Sequence, residues 1–573
     1  MGWAARPDVM GTACAVSAGH PLAAQAAMQV LAAGGNAVDA GVAGGICLAV
    51  VHPDIVGFAG VAPTLVFDAA AGEAVSVAGV GPWPARASVE FFMHECGGEI
   101  PEGILRTIVP GGPDAWITLL ERHGTIGFAE AAAPAIRLAR DGFPMGRFVA
   151  QTLAQYEAAY RRWPASAAIF LPHGRVPQVG ERFVQTDWAR TLTFLADEDR
   201  RARVGGREAG LVAAREAFYR GDVAERIVAY HHQEGGLLTR DDLAAFRVEV
   251  DRPCRTTFRG HEVLTGGFWG QGPVLLQMLN LLEAVDLARL GHNSAAYVHQ
   301  VVEAMKLAFA DREAYYGDPH HVDVPAAHLL SLAYAEKRRA LLDEERAWPD
   351  LPPAGDPRRG FAVRAAEAGR PTPSGGSDGV LGTSYIAVID QAGNAFSCTP
   401  SDVSTDTPVI PGLGFPISSR GSQSWLDPAH PSAVAPGKRP RITQCPALVL
   451  REGRPVMVLG TPGGDVQPQT ILQVMLNLLV FAQSPQDAVE APRFETRSMP
   501  DSFWPHGYTP GRLRLEASLA GEVEATLRAW GHGVETVEDG HWQMGSACVV
   551  RIDGADVRWA AADPRRDSYA LAW

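Results

Sequence analysis

The spacing of apolar positions changes several times along the chain, and each change marks an element. Residues 21–50 carry two helical stretches, PLAAQAAMQVLAAGG and NAVDAGVAGGICLAVV, broken at Gly34-Gly35. Asn36 stands where a side chain caps the second. Near 55–90 the pattern becomes strand-like, with a turn at Ala71-Gly72. From 110 to about 345 a helical period dominates, predicting helices at 113–123, 127–141, 211–233 and 294–316, with one short strand at 260–267. Residues 350–382 lose all apolar period and are rich in Pro, Gly and Arg, which predicts a mobile linker. Alternation returns in three hairpins: 383–402 around Gln391-Ala392-Gly393, 446–465 around Glu452-Gly453, and 545–565. Helices are predicted at 468–483 and 513–531. Strands, then helices, then strands imply a layered α+β fold rather than repeated βαβ units.

Composition narrows the possible functions. The 573 residues exceed one ordinary core, so one very large domain or two to three smaller ones are expected. A net charge of −14 argues against partners attracted by bulk positive charge, so neither nucleic acid nor an anionic membrane is expected. The seven cysteines are odd in number and form no C-x-x-C pair, which disfavours a disulfide framework and a thiolate zinc site. No secretory leader is read at the N-terminus, and the longest apolar run, 471–482, is too short to span a bilayer. A cytoplasmic protein is the expectation, and a homo-oligomer is compatible with it.

Candidate chemistry begins at GVLGTSYIAVID, residues 379–390. Gly382-Thr383 joins the loose stretch to a strand. Thr starts many strands for structural reasons alone. The alternative is that the chain is cut here and Thr383 becomes a new N-terminus. A Thr hydroxyl is a poor nucleophile at neutral pH, and a free α-amine with a pKa of roughly 8 on the same residue is the most economical base for it. Such a cut needs a loose segment upstream, a small residue at the bond and a rigid strand downstream, and all three are present. GTPGGD, residues 460–465, supplies adjacent glycines between a strand and a helix. Backbone N–H groups of Gly463 and Gly464 there are suited to a tetrahedral oxyanion, or else form a simple tight turn. A phosphate loop is disfavoured because no Lys-Ser or Lys-Thr follows. His320-His321-Val322-Asp323 lacks a third ligand set and reads as a surface turn, Arg358-Arg359 as a solvated pair, and the glycine pairs at 79–81 and 412–414 as turns. No G-x-S-x-G elbow occurs. Neither a metal nor an organic cofactor is expected.

These residues resemble the γ-glutamyltranspeptidase (glutathione hydrolase) family of N-terminal-nucleophile hydrolases. The likeness runs through LAAQAAMQVLAAGGNAVDAGVA (22–43), VPGGPDAW (109–116), PAIRLARDGFP (134–144), FYRGDVAERIV (218–228), GGLLTRDDLAAF (235–246), EAMKLAFADREAYYGDP (303–319), APGKRPR (435–441), GTPGGD and DAVEAPRF (487–494). The resemblance implies a four-layer αββα sandwich, made by autocleavage into a large subunit 1–382 and a small subunit 383–573. It implies that Thr383 attacks first the Gly382 carbonyl and later the substrate amide. Gly463 and Gly464 match the oxyanion glycines, and Thr399 and Ser401 match two supporting hydroxyl positions, the second usually Thr.

The glutamyl-binding positions depart from the family pattern. Val80-Gly81-Pro82, ahead of Trp83, stands where the family has its carboxylate-binding Arg and the Glu after it. Val403 replaces an Asn, Gln423 an acidic residue, and Ile442 and Thr443 a Ser-Ser pair; Ser384 is followed by Tyr385 where His is common. A charged α-carboxylate buried without its cation costs several kcal/mol. The expected substrate is therefore a small amide that is not classically γ-glutamyl. The alternatives are an ordinary γ-glutamyltransferase and a non-catalytic binding protein that keeps the fold. Arg420 and Arg441 fall near the altered positions, as cations for a relocated carboxylate or as surface salt bridges.

Overall fold

A computed structural model describes residues 4–363 and 382–573. The chain builds two large antiparallel sheets of seven strands each. The first runs Val9–Gly11, Arg558–Ala562, Cys548–Ile552, Arg454–Gly460, Ala447–Arg451, His261–Thr265, Cys254–Phe258. The second runs Tyr569–Ala572, Ala15–Ala18, Ile386–Ile389, Ala395–Cys398, Thr64–Asp68, Glu73–Val77, Val250–Asp251. The three predicted hairpins and the turn near Gly72 all form.

Period-2 alternation assigns each strand face to a different apolar cluster. In Ile386–Ile389, Ile386 and Val388 join a cluster with the helices Pro21–Ala32, Ala37–Val51, Gly112–His123 and Phe128–Asp141. Ala387 and Ile389 point the other way, into a cluster shared with Leu448, Val458, Cys548 and Val550 of the first sheet. The first sheet's opposite face, with Val449, Met457 and Val549, meets the helices Gly272–Leu282, Ala295–Tyr315 and Gln467–Leu479.

Small residues set the distance between the first helices and their sheet. A Cβ on Gly41 would lie 2.2 Å from the Phe396 ring, and one on Gly44 2.3 Å from Ile386. Asn36 accepts from the N–H groups of Val38 and Asp39, and Asp39 returns the bond to Asn36 N, closing a capping box.

Two expectations differ from the fold. The helix predicted at 211–233 is two helices, Arg207–Tyr219 and Asp222–Gln233, interrupted at Arg220-Gly221. The helix predicted at 513–531 begins as a strand, Arg512–Glu516, paired parallel with Gly533–Val537; only Glu522–Ala529 is helical. Residues 350–363 of the predicted linker make defined contacts, with Tyr315 donating to Gly355 O at 2.7 Å and Arg338 to Pro353 O at 2.9 Å. The rest of that stretch, 364–381, lies outside the described residues. No helix among the described residues is long and apolar enough to cross a membrane.

Candidate active site

Thr383 sits three residues ahead of the central strand Ile386–Ile389, held in place by hydrogen bonds from that strand's neighbours. Gly19 N donates to Tyr385 O at 2.9 Å, and Ser384 N to Pro400 O at 3.0 Å. The Thr383 side chain is sealed from solvent. Its Oγ contacts Gly382 O directly and lies 2.8 Å from Ser401 Oγ. Ser401 Oγ in turn donates to Gly382 O at 2.5 Å. Of the two predicted hydroxyls, Ser401 therefore reaches the Thr383 hydroxyl. Thr399 Oγ is buried with no hydrogen-bond partner, and its backbone N–H is held by Pro63 O at 3.1 Å.

Arg420 completes the cluster. The salt-bridge alternative placed it on the surface, but its side chain is wholly buried. One guanidinium nitrogen, Nη2, donates to Gly382 O at 3.1 Å and also to Ser401 Oγ. Its countercharge is Asp402, with Nε 3.8 Å from Oδ2. Asp402 was not singled out in the sequence, although it adjoins Ser401. Its oxygens accept from Ser418 Oγ at 2.5 Å, Ser419 Oγ at 2.6 Å and Ser419 N at 3.0 Å. Burial pushes the Asp402 carboxyl up and the Arg420 guanidinium down from their ordinary values, and the charge of each partner opposes the shift of the other.

The Gly382 carbonyl thus faces two donors, Ser401 Oγ and Arg420 Nη2, besides the adjoining Thr383 hydroxyl. That is the polarisation an attack by Oγ on the Gly382 carbon requires.

The glycine loop leaves the strand Arg454–Gly460 at the same end of the molecule. A Cβ on Gly460 would lie 2.2 Å from the Tyr385 ring, two residues after Thr383. Gly463 and Gly464 have φ of 130° and 59°, a conformation that favours glycine. The loop is braced from behind. Gln271 Nε2 donates to Gly464 O at 2.8 Å, and Asp465 accepts from Ser502 N at 2.8 Å and from buried Arg312. Gly464 opens a short 3₁₀ turn that leads into the helix Gln467–Leu479, so this end carries a partial positive charge.

The altered positions form one connected wall. Gln423 Nε2 donates to Thr443 Oγ at 3.0 Å, and Gln271 links Thr443 O, at 2.8 Å, to the glycine loop. Ile442 and Val80 are buried in an apolar cluster with Trp83. Trp83 donates its indole N–H to Ser424 Oγ at 2.9 Å and packs edge-on against Phe92. Val403 abuts Gly382, where a Cβ would lie 2.0 Å from Val403 Cγ1. Arg441 is also buried, not at the surface: it pairs with Glu313 at 3.1 Å and donates to Arg312 O at 3.4 Å, so it is committed to structure.

A cavity of about 1050 Å³ lies beyond Trp83, lined also by Val80, Glu249, His320, His321 and Arg439. Thr383 does not line it. His320 Nε2 lies 2.9 Å from Glu249 and His321 Nδ1 3.5 Å from Asp318, which also pairs with Arg439 at 2.7 Å, so the exposed His320-His321 turn is held against acidic side chains. His299, Glu303 and His532 bring ligand atoms within 4.8 Å of one another. Lys306 Nζ already lies 2.7 Å from Glu303, and His299 Nδ1 2.8 Å from His532 Nε2, so a lysine supplies the cation there.

Comparison with known proteins follows the same lines. The family described as gamma-glutamyltranspeptidase matches residues 23–573. A glutathione hydrolase-like YwrD proenzyme of Bacillus subtilis is 34% identical over 98% of this chain and 99% of its own length. An acylase ACY 1 proenzyme of a Pseudomonas species is 33% identical over 90% of this chain and 86% of its own. The crystal structure of a cephalosporin acylase from Bacillus halodurans superposes with a TM-score of 0.85 at 30% identity, covering 99% of this chain and 97% of that one.

Proposed function

The chain is an enzyme of the γ-glutamyltranspeptidase family, and on that premise we propose that it is a self-processing amidohydrolase or acyltransferase acting through Thr383. We read the two large sheets, the apolar layer they share and the helices on each outer face as the four-layer αββα sandwich. The observation that carries the functional reading is the convergence of Thr383 Oγ, Ser401 Oγ and Arg420 on the carbonyl of Gly382.

In the uncut chain, Thr383 Oγ attacks the Gly382 carbon. The oxyanion that forms keeps its bonds to Arg420 Nη2 and Ser401 Oγ, and the Thr383 hydroxyl proton passes to the leaving amide nitrogen. The C–N bond breaks, which frees the Thr383 α-amine and leaves an ester on Oγ, and water hydrolyses that ester to a Gly382 carboxylate and the Thr383 hydroxyl. In turnover that amine takes the Oγ proton as Oγ attacks a substrate amide. The Gly463 and Gly464 N–H groups receive the oxyanion, and the proton goes to the departing amine. Water or an acceptor amine then releases the acyl group from Oγ.

Denaturing mass spectrometry of the purified protein tests this. The expected result is two pieces, 1–382 and 383–573, the second starting Thr-Ser-Tyr. Thr383→Ala stays whole, and Ser401→Ala cuts on the order of 10²-fold more slowly through the lost oxyanion donor. A wild-type chain that stays intact after long incubation overturns the proposal.

A further inference from the structure

We propose that a second pocket, built on Arg566 and backing onto the segment behind Gly382, binds a small oxoanion of the sulfate or phosphate type. The proposal stands whether or not the chain is cut at Thr383.

The pocket is a cavity of about 200 Å³ lined by Arg147, Phe148, Thr152, Trp542, Arg566 and Asp567. At about 30 Å³ per water, it has room for one tetrahedral oxoanion and a few waters. Arg566 is only 6% exposed. Its guanidinium carbon lies over the Phe148 ring at 5.1 Å and the Trp542 ring at 5.3 Å, and Nε donates to Trp542 O at 3.2 Å. Those contacts fix the plane of the fork. Both fork nitrogens, Nη1 and Nη2, have no hydrogen-bond partner. A buried guanidinium in that state is costly unless an anion meets it, and a fixed fork matches two oxygens of an oxoanion. The adjoining Arg565 offers no such fork, because it is committed to Glu516, Asp563 and two backbone carbonyls.

The charges around the fork favour an anion over a cation. Asp54 is the carboxyl that acts on Arg566 most, yet neither of its oxygens has a hydrogen-bond partner. Burial pushes Asp54 up to about 7 and raises Asp567 as well, so both acids tend toward the uncharged form. Asp563, the other acid acting on Arg566, is held by Arg493 and Arg565. His52 is wholly buried with both ring nitrogens unpartnered, and burial keeps it neutral. Tyr160, which also faces Asp54, is buried and keeps its proton. Arg147 stands exposed at the rim. The pocket thus offers two cations with neutral groups behind them.

The back of the pocket touches the segment that carries the Thr383 cluster. The Thr152 hydroxyl, on the cavity wall, also acts on the Asp54 carboxyl. Asp54 O accepts from Ser404 N at 3.1 Å, and the next carbonyl, Ile55 O, accepts from Asp402 N at 3.2 Å. Ile55 Cα would lie 3.4 Å from a Cβ on Gly382. An occupant at Arg566 therefore sits two residues' contacts away from the Gly382 carbonyl, on the side opposite Arg420.

Calorimetric titration of the purified full-length protein with sulfate, inorganic phosphate, glycerol 3-phosphate and chloride tests this. Sulfate should bind with a dissociation constant of about 1 mM or tighter, the level two or three charge-assisted bonds reach, and chloride should not. Phosphate should match sulfate if the occupant is a free ion, and glycerol 3-phosphate should bind tighter if it is an ester. Sulfate should also change the emission of Trp542, a change that Trp542→Phe removes. Arg566→Gln should weaken sulfate by at least about 10-fold, while Arg147→Gln at the exposed rim has a smaller effect. Asp54→Asn removes the nearest carboxylate charge, so it should tighten sulfate at least about 5-fold at pH 8 and leave it unchanged at pH 3.5. If Arg566→Gln does not fold, the anion series on the wild type and the Asp54→Asn comparison decide. No saturation up to about 50 mM sulfate, equal binding of chloride, or sulfate affinity indifferent to Arg566 and to Asp54 overturns the inference. None of these outcomes bears on the Thr383 reading.

Discussion

Asp54 shows how one side chain near the site sets a pH response. Its backbone carbonyl accepts from Ser404 N at 3.1 Å, and the next residue, Ile55, lies against Gly382. Burial pushes its carboxyl up to about 7, partly offset by Arg566. The folded state therefore binds a proton that the unfolded state releases near pH 4. The stability it contributes is present below pH 4 and is lost as the pH rises from about 4 to about 7. Asp54→Asn, neutral throughout, should match the parent below about pH 3.5 and exceed it at pH 8, by up to about 4 kcal/mol. Urea midpoints in the uncut Thr383→Ala background read this directly, and a pH-independent difference between the two rules it out. The position of Thr383 at a loop-to-strand junction was legible, because a small-residue junction before an alternating strand is a local signal. Arg420 at Gly382 was not. Thirty-odd residues separate it from Thr383, and only the folded path from Asp402 through Ser418 and Ser419 brings the guanidinium back to the bond.

The strand Arg454–Gly460 and the segment at Thr383 are fitted to each other at the element scale. Gly460 is flat because the Tyr385 ring lies on it, and Tyr385 is pinned by Ser397 Oγ at 2.6 Å. Gly460→Ala should push the two sheets apart at this end, at a cost of about 1–3 kcal/mol, and slow cleavage by displacing Thr383. Pairing it with Tyr385→Leu should restore both. Unchanged melting temperature and cleavage half-time in the single variant contradict this account. Hairpins were readable because their alternation and turn residues are local. The strand Arg512–Glu516 was not, although RLRLE alternates. Its neighbours continue with Leu and Ala at helical spacing, and its pairing partner, Gly533–Val537, comes only after the helix Glu522–Ala529.

The proposed cut divides a molecule whose sheets are already interleaved. Five strand pairings join residues before Gly382 to residues after it: Val9–Gly11 with Arg558–Ala562, Ala447–Arg451 with His261–Thr265, Ala15–Ala18 with both Tyr569–Ala572 and Ile386–Ile389, and Ala395–Cys398 with Thr64–Asp68. Neither piece holds either seven-stranded sheet complete, so the two should travel together on gel filtration after cleavage. Diluted from denaturant, the cut protein should recover with a yield that rises with concentration, while uncut Thr383→Ala recovers independently of it. Equal, concentration-independent recovery of both counts against obligate interleaving. The alternating strand order thus gives the molecule a direction in time. In the proposed scheme a single chain threads its strands once, the bond that enforced the threading is then spent, and the surviving shape preserves an assembly route that its separated parts no longer encode.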